Sequence, residues 1–154
     1  MRRKLYLTIA FIHLITCALH AQEISINKDT LIDIIQQKDR RTQQKRLIRF
    51  IKSYFQNVKP DGAICGKDTL IGLFNKYDLP EKNSFTNFTQ SISANKIHNL
   101  KNAETQMLRS IDLARKQNNS YLLYQFLSHL SFIQLTRGIL PVPFTVIAWQ
   151  KKRH

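Results

Sequence analysis

The side chains that could do chemistry are few and scattered. Histidines stand at His13, His20, His98, His129 and His154, cysteines at Cys17 and Cys65, and glutamates at Glu23, Glu81 and Glu104. A zinc or other transition-metal site takes ligands at characteristic spacings. The chain has no His-x-x-x-His, Cys-x-x-Cys or Glu-x-x-His. It also lacks a phosphate-cradling glycine loop, a dinucleotide fingerprint and a Gly-x-Ser-x-Gly elbow. Glu81 and Glu104 lie in unlike segments, which argues against a paired-carboxylate mechanism, although aspartates elsewhere stay open as acids. His129 falls inside an apolar stretch, where a core or groove-lining histidine outweighs a ligand or base. Enzyme chemistry would need His129 to meet an acid and Cys65 or a serine in one cleft. The sequence is therefore read as non-catalytic, with no catalytic residue, metal or cofactor assigned.

With so little chemistry on offer, the elements themselves become informative. Asn102 to Gly138 reads as two helices, Asn102 to Lys116 and Tyr121 to Thr136, parted by the polar Gln117–Ser120 and stopped by Gly138. Ala103, Met107, Ile111 and Ala114 recur at helical spacing in the first. Leu123, Phe126, Leu127, Leu130 and Ile133 do so in the second, with Leu122, Phe132 and Leu135 widening the apolar arc. An arc that wide predicts a helix covered from more than one side. Ser120 is a candidate N-cap. The short break favours an antiparallel pair, which cannot bury both faces alone and so implies stacked neighbours.

Ile111 to Asn119, Leu130-Ser131-Phe132-Ile133 and Gly138 together resemble a tetratricopeptide repeat. More narrowly, they are similar to the longer-helix repeats in the extracytoplasmic sensor regions of bacterial signalling proteins. In that family one helix ends in an Ala-Lys/Arg pair before a polar turn, and the next carries a Leu-Gly-x-x-Tyr pattern ending at Gly. Leu130 and Gly138 match, whereas Ser131 replaces the small Gly and Gln134 stands where an aromatic is usual. The match covers roughly a third of the chain. The resemblance implies an all-α fold of stacked antiparallel helical hairpins, a right-handed α-solenoid fragment whose concave face binds a protein or peptide. It directs Gln125, His129, Phe132 and Thr136 into that face; as ordinary alternatives, Phe132 is core and the polar three are solvated.

The rest of the chain fits such units. Asp29 can cap a helix carrying Leu31, Ile34 and Ile35. Asp39-Arg40-Arg41 either breaks this helix or lies on its exposed face. Leu47, Ile48, Phe50, Ile51, Tyr54 and Phe55 then mark an amphipathic helix that ends before Pro60, with Lys45, Arg46, Arg49 and Lys52 on its other face. Lys59-Pro60-Asp61-Gly62 is a turn signal, and the loop is expected to continue to Gly66. Lys67-Asp68-Thr69-Leu70-Ile71 repeats Lys28-Asp29-Thr30-Leu31-Ile32 letter for letter 39 residues later. The echo is either a duplication or two similar helix starts, and a step near forty suits helical hairpins. Asn83 to Asn95 has helical spacing in Phe85, Phe88 and Ile92 but poor helix formers between them, so packing must hold it. The expected hairpins are about 29–57, 68–97 and 102–137, within one repeat domain over 28–154. A terminal helix over about 144–151 follows Pro141 and Pro143; alternatively the chain stops midway through a repeat, as a truncated sensor would.

Residues 1–21 have the layout of a secretory signal peptide: basic Arg2, Arg3 and Lys4, apolar Leu5 to Ala18, and Leu19-His20-Ala21 before Gln22, with 22–27 as a leader. An uncleaved anchor is disfavoured by length, and Leu14-Ile15-Thr16-Cys17 is a weak lipoprotein box because Thr16 sits where a smaller residue is wanted. The expected location is periplasmic or secreted. Lys plus Arg is 24 against 10 acidic residues. Losing the three signal charges leaves 21 against 10, or +11. The charges are scattered and the protein exported, so nucleic acid is an improbable partner. Once Cys17 leaves with the signal, Cys65 has no intramolecular partner. Two functions emerge: a helical-repeat module mediating protein–protein contacts, and a basic peripheral module that lays Lys45, Arg46, Arg49 and Lys52 on an anionic membrane or glycan surface.

Overall fold

A computed structural model of the chain describes residues 26–138, and these are all-helical. The helices are α1 (Lys28–Ile35), α2 (Arg40–Asn57), α3 (Pro60–Lys76), α4 (Lys82–Lys96), α5 (Leu100–Lys116) and α6 (Ser120–Thr136). The expected signal peptide and the expected terminal helix lie outside the described residues.

Four of the six described helices begin where a short polar side chain takes up an orphan amide, whereas α3 and α4 start without a side-chain cap. Asn27 accepts from the Thr30 amide at α1, Asp39 from Thr42 at α2, Asn99 from Asn102 at α5 and Asn119 from Leu122 at α6. Asp39 thus breaks the chain between α1 and α2, and its bonds to Thr42 hold its carboxyl below the ordinary value. Asn27 and Asn119 take the capping places expected of Asp29 and Ser120. Asp29 instead lies in the first turn, where its charge still favours the helix dipole.

The expected loop over Pro60–Gly66 is helix. Pro60 occupies the first turn, where its missing N–H costs nothing, and Asp61 follows it. Gly62 of the turn signal and Gly66 at the end of the expected loop are there for close approach. Tyr54 of α2 lies against Gly66, and Val58 against Gly62. The Lys67–Ile71 echo therefore falls in mid-helix, whereas Lys28–Ile32 opens one.

α4 is the centre of the assembly: it packs most extensively on α5, then on α3, and also on α2. Its poor helix formers are the means of that packing. Ser84, Thr89, Ser91 and Ser93 are buried. Ser91 Oγ donates to the Ala103 carbonyl of α5 at 2.6 Å, and Ser93 Oγ donates to the Ala63 carbonyl of α3 at 3.0 Å. Ser110 of α5 returns the contact, donating to the Ser84 carbonyl at 3.2 Å. Small side chains let the helices approach, and carbonyls of the neighbouring helix satisfy the hydroxyls of Ser91, Ser93 and Ser110, whereas Thr89 Oγ1 is buried without a partner among the described residues. Between these bonds sits one continuous core that includes Phe55, Phe74, Phe85, Phe88, Met107 and Phe126.

The turns after α3, α4, α5 and α6 repeat one another. The second residue beyond each helix has positive φ: Asp78, His98, Asn118 and Gly138. In the first three, the next amide reaches back to a carbonyl five residues earlier, Leu79 to Phe74, Asn99 to Ala94 and Asn119 to Ala114. That is the six-to-one bond of a Schellman cap.

Candidate functional site

A cavity of ≈ 380 Å³ opens on one side of the molecule and is lined from three helices that alternate along the chain. α2 provides Lys52, Phe55 and Gln56; α4 provides Ile92, Asn95 and Lys96; α6 provides His129 and Phe132. Aromatic contacts tie α4 to α6 beneath it. The Phe88 ring lies 5.0 Å from Phe126 and 5.8 Å from His129, and His129 lies 6.0 Å from Phe132. At the far ends of α2 and α6, the Arg41 guanidinium sits 3.9 Å from the centroid of the Tyr121 ring.

The lining combines positive charge with apolar surface, and among the described residues no carboxylate contributes to it. Lys96 Nζ donates to the Gln56 carbonyl at the end of α2, 3.1 Å away. Burial holds the Lys52 ammonium below the ordinary lysine range. Burial, helped by the Lys52 charge, also pushes His129 down to about 4, so its imidazole is neutral at pH 7. His129 Nε2 is buried without a hydrogen-bond partner among the described residues. Phe132 stays 55% exposed although it borders this cavity. A neutral histidine with lysines and no acid beside it is poorly set up for acid–base relay. The wall is suited to holding a ligand with an anionic and an apolar part.

Of the groove residues expected from sequence, His129 and Phe132 line the cavity. Gln125 is half-buried on α6 outside it, and Thr136 is exposed, its hydroxyl donating to the Phe132 carbonyl at 2.9 Å. The basic face expected of α2 is divided. Lys45 and Arg49 are exposed, Arg46 pairs with Asp33 at 2.8 Å, and Lys52 turns into the cavity. Cys65 is exposed on α3 and stands apart from that lining. Among the described residues, no group of three or more His, Cys, Asp or Glu side chains could hold a metal ion.

Sequence reasoning missed Phe55, Gln56, Ile92, Asn95 and Lys96. The signal that finds them is a step of forty residues. Lys52, Ile92 and Phe132 are forty apart, as are Gln56, Lys96 and Thr136, and Phe55 and Asn95. A second cavity, ≈ 510 Å³, lies at the starts of α2 and α6. There Glu81, at φ 54°, pairs with Arg40 at 2.5 Å and accepts from Gln44 at 3.2 Å. Comparison with protein-family models, curated proteins and solved structures finds no match for this chain.

Proposed function

We propose that this chain is an exported, non-catalytic protein of the tetratricopeptide-like kind, a right-handed α-solenoid fragment that grips a segment of another protein. The observation that carries the reading is the cavity lined by α2, α4 and α6 at equivalent places forty residues apart. In a stack of helical hairpins, one helix of each pair lines the concave face. The recurring turn at Asp78, His98, Asn118 and Gly138 supports a repeated unit of helix plus turn, twenty residues long. His129 and Phe132 are the contacts expected from the family resemblance, and Lys52, Ile92 and Lys96 extend them across the groove.

Burial of Leu47, Ile48, Ile51 and Phe55 in the core leaves α2 without the free apolar face that an interfacial helix inserts into a bilayer. The groove is therefore the preferred binding surface.

The test is retention of proteins from an extracytoplasmic extract on the immobilised chain from Gln22 onward. Phe132→Ala should abolish specific retention, whereas Leu135→Ala should leave it intact. Leu135 is 59% exposed on the same helix but lies outside the cavity. Equal retention by both variants would contradict a groove-based function.

A further inference from the structure

We propose that the segment held in this groove is an acidic peptide whose carboxylates meet Lys52 and Lys96 while an apolar side chain packs on Phe55, Ile92 and Phe132. The inference rests on the groove reading above and specifies its ligand. It follows from charge complementarity. Lys52 and Lys96 enter the cavity from adjacent lining helices, and among the described residues no aspartate or glutamate lines it. Neither lysine belongs to an ion pair among the described residues, although six such pairs form there. The acidic side chains nearest in kind are committed elsewhere: Glu104 to Arg137, Glu81 to Arg40 and Asp33 to Arg46.

The rest of the wall decides between anionic ligands. A phosphate backbone or a headgroup layer is read by charges fanned over an open surface. Here two ammonium groups flank an apolar patch in a hollow, and Phe132 leaves more than half of its surface uncovered beside them. Half-buried lysines in an apolar hollow favour an anion that arrives with an apolar body attached. An extended or helical peptide with carboxylates on either side of a leucine or phenylalanine has that composition. His129 adds a polar atom to the floor: Nε2 has no partner among the described residues, and the imidazole is neutral at pH 7, so it does not compete for the carboxylates.

The experiment uses the chain from Gln22 to His154 and an array of fluorescent seven-residue peptides, each with two acidic residues and one Leu or Phe in every arrangement. Matching arrays replace the acids by their amides, or the apolar residue by glycine. Fluorescence anisotropy should find members of the acidic–apolar array that bind at least tenfold more tightly than both matched controls. Lys52→Gln and Lys96→Gln should each weaken them about five- to tenfold, Lys52→Arg should restore most of the loss, and Lys45→Gln should change nothing. The His129 ring resonances should shift on binding while those of His98 stay in place. The proposal is overturned if no acidic–apolar member outperforms its amide control, or if Lys45→Gln weakens binding as much as Lys52→Gln. It is also overturned if anionic vesicles, and not the peptides, show the Lys52 dependence. A partner retained through Phe132 that is not acidic would overturn this inference and leave the groove reading standing.

Discussion

Replacing Gly66 with alanine tests how closely α2 and α3 approach. An ideal Cβ at Gly66 would overlap the hydroxyl end of the Tyr54 side chain, with Cζ only 2.5 Å away and the hydroxyl oxygen nearer still. Two effects oppose each other. Alanine is the better helix former by about 0.5–1 kcal/mol in a helix interior. Forcing extra volume into a filled site costs about 1–3 kcal/mol. Tyr54 is half-buried, stacks edge-on against Phe55 at 5.1 Å, and donates weakly to the Gly62 carbonyl at 3.4 Å. Its ring must leave that seat to admit a methyl group, so steric cost wins. Gly66→Ala should lower stability by about 1–2 kcal/mol, measured by urea unfolding followed by circular dichroism. In a Tyr54→Ala background the overlap disappears, and the same change should stabilise by about 0.5–1 kcal/mol. The reversal of sign, a coupling of about 2 kcal/mol, is the diagnostic result. If Gly66→Ala stabilises the otherwise unchanged chain, Tyr54 does not lie over α3 and the described approach of the two helices is wrong.

The pH dependence of stability should carry the signature of His129. Its folded value of about 4 lies below the ordinary 6.5, so the contribution is complete above pH 6.5 and lost as the pH falls toward 4. The full shift corresponds to about 3 kcal/mol; His129→Phe should flatten denaturation midpoints over that window. Phe126→Ala, at a fully buried position against Phe88, should cost about 3–5 kcal/mol in the same assay. Ser91→Ala should cost about 1 kcal/mol through the lost bond to Ala103, while Ser91→Val should cost about 1–3 kcal/mol through overpacking between α4 and α5. Asn119→Ala should cost about 1 kcal/mol by uncapping α6, and hydrogen exchange should rise at the Leu122 amide, its bonding partner.

The helices were most legible where periodicity and punctuation agree. α5 and α6 carry apolar residues on helical spacing between asparagine-rich breaks, and the predicted bounds lie within about two residues of those found. α4 was legible through Phe85, Phe88 and Ile92 despite its serines, whose purpose is invisible locally because their partners, Ala63 and Ala103, are distant in sequence. The start of α3 was misread for a similar reason. Pro60-Asp61-Gly62 signals a turn by its own preferences, but proline is also a first-turn residue, and the glycines answer to Tyr54 and Val58 on another helix. At the site, His129 and Phe132 were reached through the family resemblance. The sequence groups Lys52 with Lys45, Arg46 and Arg49 on one basic face, since helical spacing alone cannot say which edge of that face turns toward a neighbouring helix. Carrying the forty-residue step from Phe132 back to Ile92 and Lys52 would have assembled the groove from sequence.

The central claim is that the hollow across α2, α4 and α6 is where another polypeptide is held. A photo-crosslinking phenylalanine analogue placed at Phe132 or at Tyr124 tests it at single-residue resolution. Both are exposed on α6, but Tyr124 lies outside the cavity. Irradiation of exporting cells should yield a discrete protein adduct from position 132 and none from position 124. Adducts of equal yield at both positions, or at Tyr124 alone, would contradict the account.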